Sequence, residues 1–246
     1  VMMALMVCGL VQGDATGQEK LRVAVVPLAF AAPAAGEYDG DAIAAALTDR
    51  INVRIAELGR FEVIERVRLD EIMAEQALGQ TGMVDESTAA QVGKVAGVEL
   101  VIAGSITAYS VNYYERDNGK GTHRAEVTLG VRFVDAETGE IKQAKEILVK
   151  GSAAAYEKAE VRAQAKAANR IVHEIRFLYP LEAAVARVEG KYVYLNLGAN
   201  MGLKPGMRFR TIDEGREITD PATGEVLGTE RVESGIIKIV SVGPNL

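Results

Sequence analysis

The sequence predicts an α/β (α+β) domain, a mixed sheet flanked by helices, followed by a small all-β, barrel-like domain. Three observations carry this reading. Strand-length, β-branched runs alternate with helical stripes between Leu21 and Ala96; three β-rich runs follow one another between Leu100 and Val149; and beyond Tyr179-Pro180 no helical stripe recurs, only short apolar runs between glycine turns. The chain of 246 residues is long enough for two cores. It divides on this reading into a leader and linker at 1–19, an α/β domain at 20–179 and a small β domain at 180–246.

Leu21–Leu28, LRVAVVPL, is an almost continuous apolar run of strand length, as expected of a strand covered on both faces, and Pro27 marks its end. The Ala-, Pro- and Gly-rich residues Ala29–Gly40 read as a loop. Asp41 is placed to cap a helix whose apolar positions Ile43, Leu47, Ile51, Ile55 and Leu58 keep helical spacing, closed by Gly59. Phe61–Ile64 is a second short strand. Helices are expected near Arg68–Leu78 and Ser87–Ala96, each stopped by a glycine.

The period then changes to that of strands. LVIAGSITAYSV, AEVTLGVRFV and GEIKQAKEILV are three β runs, the last two joined at Asp135–Gly139, where Gly139 can take positive φ. An Ala-rich helix from Ala154 to Leu178 follows, with Val161, Ala165, Ala168, Val172 and Ile175 on one side. In the tail, YVYLNL at Tyr192–Leu197 precedes Gly198, Gly202 and Gly206. Asp220–Glu225 echoes the Asp135–Glu140 turn, and Gly235–Val242 reads as the last strand.

Composition excludes some classes of function. A formal net charge of -6 and a pI near 5.2 do not suit a protein that neutralises phosphates, and the basic cluster Arg66–Arg68 is diluted by Glu65 and Asp70. Only His123 and His173 are present, with no ligand pair at helical spacing, so neither a metal site nor a cofactor is expected. No G-x-S-x-G elbow occurs, and Gly104-Ser105 reads as a small pair inside a strand that permits close backbone packing. Gly119–Thr122 joins two strands rather than opening a helix, so it reads as a hairpin tip and not as a phosphate loop. Asp213 and Glu214 read as solvated turn residues. No catalytic constellation is present, and the expectation is a protein that is not an enzyme.

Val1–Val11 is almost wholly apolar and turns polar at Gln12. Such a run is too short to span a bilayer, which takes about 20 residues, and it suits the apolar part of a secretory signal without its usual preceding cations. Cys8, the only cysteine, ends Leu5-Met6-Val7-Cys8, an order resembling a lipoprotein signal except at Val7, where a small residue is usual. Cys8 is therefore the candidate lipid-attachment residue; cleavage after Gly13 or Ala15 is the competing expectation.

The opening RVAVVPL, the RFEVIER strand with LDEIMAEQ, AAQVGKVAGVELVIAGSI, and the VRFVDAETGEI hairpin together resemble the family of the curli assembly and transport component, CsgG, over Leu21–Leu178. The resemblance implies an α/β periplasmic domain, work at the outer membrane and no enzymatic activity. The channel-forming member of that family inserts two long amphipathic hairpins. Their positions here hold the polar Asn112–Thr122 and the start of the Ala-rich helix, so the resemblance departs from the family where a pore would be built. The tail from Leu181, VYLNLGANMGLKPGMRFR and DPATGEVLGTE, resembles the C-terminal domain of the flagellar assembly protein FlgT, with one strand fewer than a complete barrel. The function expected is that of a periplasmic adaptor, with an outer-membrane tether through Cys8, that binds other envelope proteins and copies of itself but no nucleic acid; the alternative is a subunit of a curli-type secretion channel. Tyr113, Tyr114 and Arg116 are the candidate protein-binding residues, because aromatics and Arg dominate binding energy at interfaces.

Overall fold

In a computed structural model of the chain, the described residues are 3–8, 19–33, 38–65, 69, 71, 86–115 and 121–244. Residues 21–178 form one compact unit; the described residues of 1–20 and 179–246 form a second.

The first unit is built on a six-stranded mixed sheet. Its strands are β2 (Leu21–Val25), β3 (Ala29–Phe30), β4 (Phe61–Val63), β5 (Leu100–Glu115), β6 (Gly121–Asp135) and β7 (Ile141–Ala153), in the order β4-β2-β5-β6-β7 with β3 also on β5. β2 runs parallel to both β4 and β5, whereas β5, β6 and β7 form an antiparallel meander. Helices α1 (Gly40–Ala56), α2 (Glu86–Ala96) and α3 (Tyr156–Leu178) pack on this sheet. The expected loop Ala29–Gly40 thus contains a short strand, since Ala29 and Phe30 pair with Ser105 and Ile106. Of the helix expected near Arg68–Leu78, positions 69 and 71 are helical and the rest lies outside the described residues.

Helix α1 is capped by Asp39 rather than by Asp41: the Asp39 carboxylate accepts from the Ala42 amide at 3.0 Å, and Asp41 sits in the first turn, where an acid also favours the helix N-terminus. Its buried stripe is Ile43, Leu47, Ile51 and Ile55. Thr48 within this stripe is fully buried and satisfied, donating to the Ala44 carbonyl at 2.8 Å and accepting from the Leu28 amide at 3.1 Å. On α3 the buried face is Ala159, Ala163, Ala167, Ala168, Ile171, Val172 and Ile175, so Val161 points out and is 44% exposed. Alanines win because the inner face must meet Gly151 of β7 at backbone distance: a Cβ at Gly151 would overlap the Ala159 carbonyl oxygen and the Ala163 amide. The opposite side of the sheet carries its own core of Ala24, Val26, Leu69, Val92, Val101 and Val134 among others.

β7 is the last strand of the sheet. Two cations of α3 reach its backbone, with Lys166 Nζ donating to the Lys150 carbonyl and Arg162 Nη1 to the Ser152 carbonyl, both at 2.6 Å.

The two Thr-Gly-Glu turns are the same device. In each, the aspartate Oδ1 accepts from the amides two and three residues on, the threonine Oγ1 accepts from the amide of the glutamate, and the glycine takes positive φ, 78° at Gly139 and 73° at Gly224. The Thr138 amide, then Lys142 at 2.9 Å, hold the Asp135 carboxyl down at about 2, from an ordinary 3.8. A depressed acid stabilises the fold above its unfolded value and loses that contribution as pH falls through the folded one. Asp135→Asn keeps an acceptor oxygen without the charge. It should melt below wild type at neutral pH, by roughly 1 kcal/mol, with the gap closing between pH 3.8 and about 2; urea unfolding across that window measures it.

The second unit overturns the barrel expectation. Its strands are β1 (Met3–Cys8), β8 (Val185–Glu189), β9 (Tyr192–Leu195), β10 (Arg208–Thr219) and β11 (Val226–Lys238). They form two open sheets, β1-β10-β11 and β8-β9, and not a closed circuit of ladders, which a barrel requires. A small core of Leu181, Leu195, Leu197, Met201, Leu203, Phe209 and Ile239 forms in this unit. Beyond Ile212, β10 reads DEGREIT, and neither alternation of that run is apolar. The β10–β11 pair therefore continues as an exposed two-stranded arm rather than curling into a wall. The last strand is Val226–Lys238, longer and earlier than the expected Gly235–Val242.

Candidate functional site

The polar stretch Asn112–Thr122 is largely strand. Asn112, Tyr113, Tyr114 and Glu115 of β5 pair with Arg124, His123, Thr122 and Gly121 of β6, so the meander extends as a two-stranded ribbon whose tip, residues 116–120 and with it the candidate Arg116, lies outside the described residues. Successive strand residues point to opposite faces, which separates Tyr113 from Tyr114. They are 57% and 47% exposed.

On one face, Tyr113 lies opposite His123 with ring centroids 5.0 Å apart, and His123 in turn meets Tyr156, the first residue of α3, at 5.9 Å. Gly121 gives the Tyr113 ring its seat, because a Cβ there would overlap the ring and its hydroxyl. Four residues earlier on the same strand, Tyr109 joins Phe30 and Tyr38 in an edge-on cluster, with centroids 6.2 and 4.9 Å from Tyr109. The Tyr109 hydroxyl donates to Glu160 Oε1 of α3 at 2.8 Å. Burial first, then the bond to Glu160 and its charge, push the Tyr109 phenol well above its ordinary range, so it stays a hydrogen-bond donor. This cluster anchors the base of the ribbon to α1, α3 and the sheet.

On the other face, the Arg124 guanidinium sits 4.9 Å from the centroid of the Tyr114 ring, a diagonal cross-strand cation–π pair. That face continues as Glu126, which pairs with Lys150 at 2.9 Å, and Leu148, which is 57% exposed. The structure thus brings Tyr113 and Tyr114 to one ribbon and adds Arg124, Tyr156 and His123, the last weighed in the sequence only as a metal ligand. Arg124 and His123 follow from the β5–β6 register. Tyr156 needs the tertiary fold. Cys8 ends β1, with its backbone in register with Asp213 of β10; this pairing belongs to the unprocessed chain, since cleavage at a lipidated cysteine removes the residues before it.

This arrangement offers anchoring aromatics and a guanidinium. Among the described residues, no group of three or more His, Cys, Asp or Glu is placed to hold a metal. No helix among them is long and apolar enough to cross a membrane.

The sequence profile of the family described as "Curli production assembly/transport component CsgG" matches residues 8–164, well over half of the chain. The chain belongs to the CsgG family. Members of that family are described as components of curli production, assembly and transport. The match stops at residue 164, so the FlgT-like resemblance of the tail gains no support, and the barrel it implied is absent. No protein of curated function matches the chain in sequence. Among solved structures the CsgG-family fold here is similar to lipoprotein GNA1162 from Neisseria meningitidis (13% identity, TM-score 0.41, covering 64% of this chain and 99% of that one). It is also similar to the LpoB C-terminal domain from Escherichia coli (18%, 0.36, 56% and 87%) and to the PelC dodecamer from Paraburkholderia phytofirmans (11%, 0.35, 68% and 91%).

Proposed function

We propose that this CsgG-family protein is a periplasmic adaptor of envelope assembly, tethered to the outer membrane through a lipidated Cys8, that binds other envelope proteins through the Tyr113–Tyr114 end of the β5–β6 ribbon. The observation that carries the reading is the pair of half-exposed tyrosines held in fixed orientations, one against His123 and one under Arg124, on a ribbon rooted in the aromatic cluster. Rigid aromatics with a guanidinium are the side chains that anchor protein interfaces at low entropic cost. Arg116 is assigned to the same surface.

A pore is the weaker reading for a physical reason. Beyond Tyr109 the described ribbon has six residues in each of β5 and β6, against the roughly 9 to 11 that each membrane-spanning strand takes. Asn112 and Arg124 face each other on one side of it, and Glu115 lies at its end.

The test replaces Tyr114 with a photo-crosslinking residue in the full precursor, expressed in a diderm bacterium, and measures the affinity of the captured envelope protein. A Tyr113→Ala/Tyr114→Ala double variant should bind it at least about a hundredfold more weakly, since each truncated anchor costs about 2 kcal/mol, with an unchanged melting curve. Cys8→Ala should move the protein from the outer-membrane fraction to the soluble periplasm. Equal binding by the double variant would sink the assigned surface, and ion conductance in a planar bilayer would favour the channel subunit.

A further inference from the structure

Residues 179–244 lie beyond the family match and carry two features that fit one another. The first is a groove of about 720 Å³ lined by β9 and by the end of β11. These strands pair with β8 and β10 respectively and not with each other, so among the described residues each presents an unpaired edge. The groove is lined by Tyr192, Tyr194, Ile236 and Val240, all between 47% and 69% exposed, and by the cations Lys191 and Lys238.

The second feature is the far end of the β10–β11 arm. Ile218, Val226 and Leu227 are 52%, 54% and 65% exposed there, and a register shift leaves Leu227 with no residue opposite it. Glu217, Asp220 and Glu225 surround them in sequence. The arm is apolar and acidic where the groove is apolar and basic.

We infer that the β10–β11 arm of one copy docks in the β9–β11 groove of a second copy, giving head-to-tail self-association through the C-terminal unit. The arm cannot fill its own groove. β11 itself joins the two, and the ten positions from Val226 to Ile236 set them about 33 Å apart along an extended strand. Charge complementarity selects the occupant: Glu217 and Glu225 of the arm meet Lys191 and Lys238 of the groove, while Ile218 and Leu227 cover the exposed tyrosines. An incoming edge would also supply β9 or β11 with the ladder partner it lacks. A contact between two different surfaces of one chain is heterologous, and it propagates into a ring or an open chain rather than stopping at a symmetric dimer.

The test is sedimentation velocity of the full chain over roughly 1–100 µM, the range of a micromolar contact. Wild type should gain mass with concentration. An arm variant, Leu227→Asp with Glu225→Lys, and a groove variant, Lys191→Glu with Lys238→Glu, should each stay monomeric across that range, and all four residues are at the surface, so the melting curves should not move. Mixed one to one, the two variants should form a dimer and nothing larger, because the mixture holds one intact arm and one intact groove per pair. A monomeric wild type, persistent assembly of either variant, or a mixture that stays monomeric would each overturn the inference.

Discussion

Gly151→Ala should lower the melting temperature of the 21–178 unit by about 10 °C. The single added carbon would overlap the Ala159 carbonyl oxygen and the Ala163 amide and lie 2.9 Å from the Ala163 Cα. All three atoms belong to the backbone of α3, so no rotamer change relieves the clash, and the helix must lift from β7 along the turns that bury Ala159, Ala163 and Ala167. Overpacking of this kind costs about 3 kcal/mol or more when nothing can yield, and each kcal/mol is worth about 2–4 °C in a unit of this size. The control is Gly130→Ala in the neighbouring strand, where an added Cβ meets nothing within 4 Å; it should be neutral or slightly stabilising, since it narrows the unfolded ensemble. Circular dichroism melts of the two variants decide the matter. If they shift alike, the contact between α3 and β7 is not the close-packed one described.

The second large effect is expected from Phe209→Ala. Phe209 is fully buried at the start of β10 and is the largest side chain of a small core that otherwise holds leucines, a methionine, an alanine and an isoleucine. Removing such a ring costs about 3–5 kcal/mol, which is most of what a core of this size supplies. The 21–178 unit has separate cores, so the variant should lose the second unit while the first stays folded. Limited proteolysis should then digest the chain beyond Tyr179 and leave a stable fragment ending near Leu178. Simultaneous digestion of both would show that the two cores do not hold independently.

What the sequence made legible follows from how each element is buried. Strands covered on both faces, such as Leu21–Val25, and helices with a clear stripe, such as Gly40–Ala56, announce themselves because burial and periodicity coincide. The ribbon at Asn112–Glu115 does not, since a two-stranded extension exposed on both faces has no apolar alternation to read. The same reason explains the barrel. Tyr192–Leu197 and Ile236–Val240 look like barrel walls, but DEGREIT between them has no inner face, and closure depends on ladders that composition does not encode. On α3 the first two positions of the expected stripe, Val161 and Ala165, lie off the buried face, where Ala159, Ala163 and Ala167 meet the sheet because the contact with Gly151 selects alanines. Tyr113 and Tyr114 are candidates in the sequence because they are aromatic; Arg124 and Tyr156 are not, because a cross-strand diagonal and a helix start that fold against them bring them to the ribbon.

The two cations that α3 lays against β7 have a consequence for the chain in company. A terminal strand attracts foreign strands in proportion to the carbonyls it leaves unsaturated. Lys150 and Ser152 present theirs already occupied by Lys166 and Arg162. Over that stretch a passing β-rich segment finds no acceptors to bond and two positive charges to displace. Over Lys150–Ser152 this margin of the sheet is thereby guarded against pairing with a foreign strand.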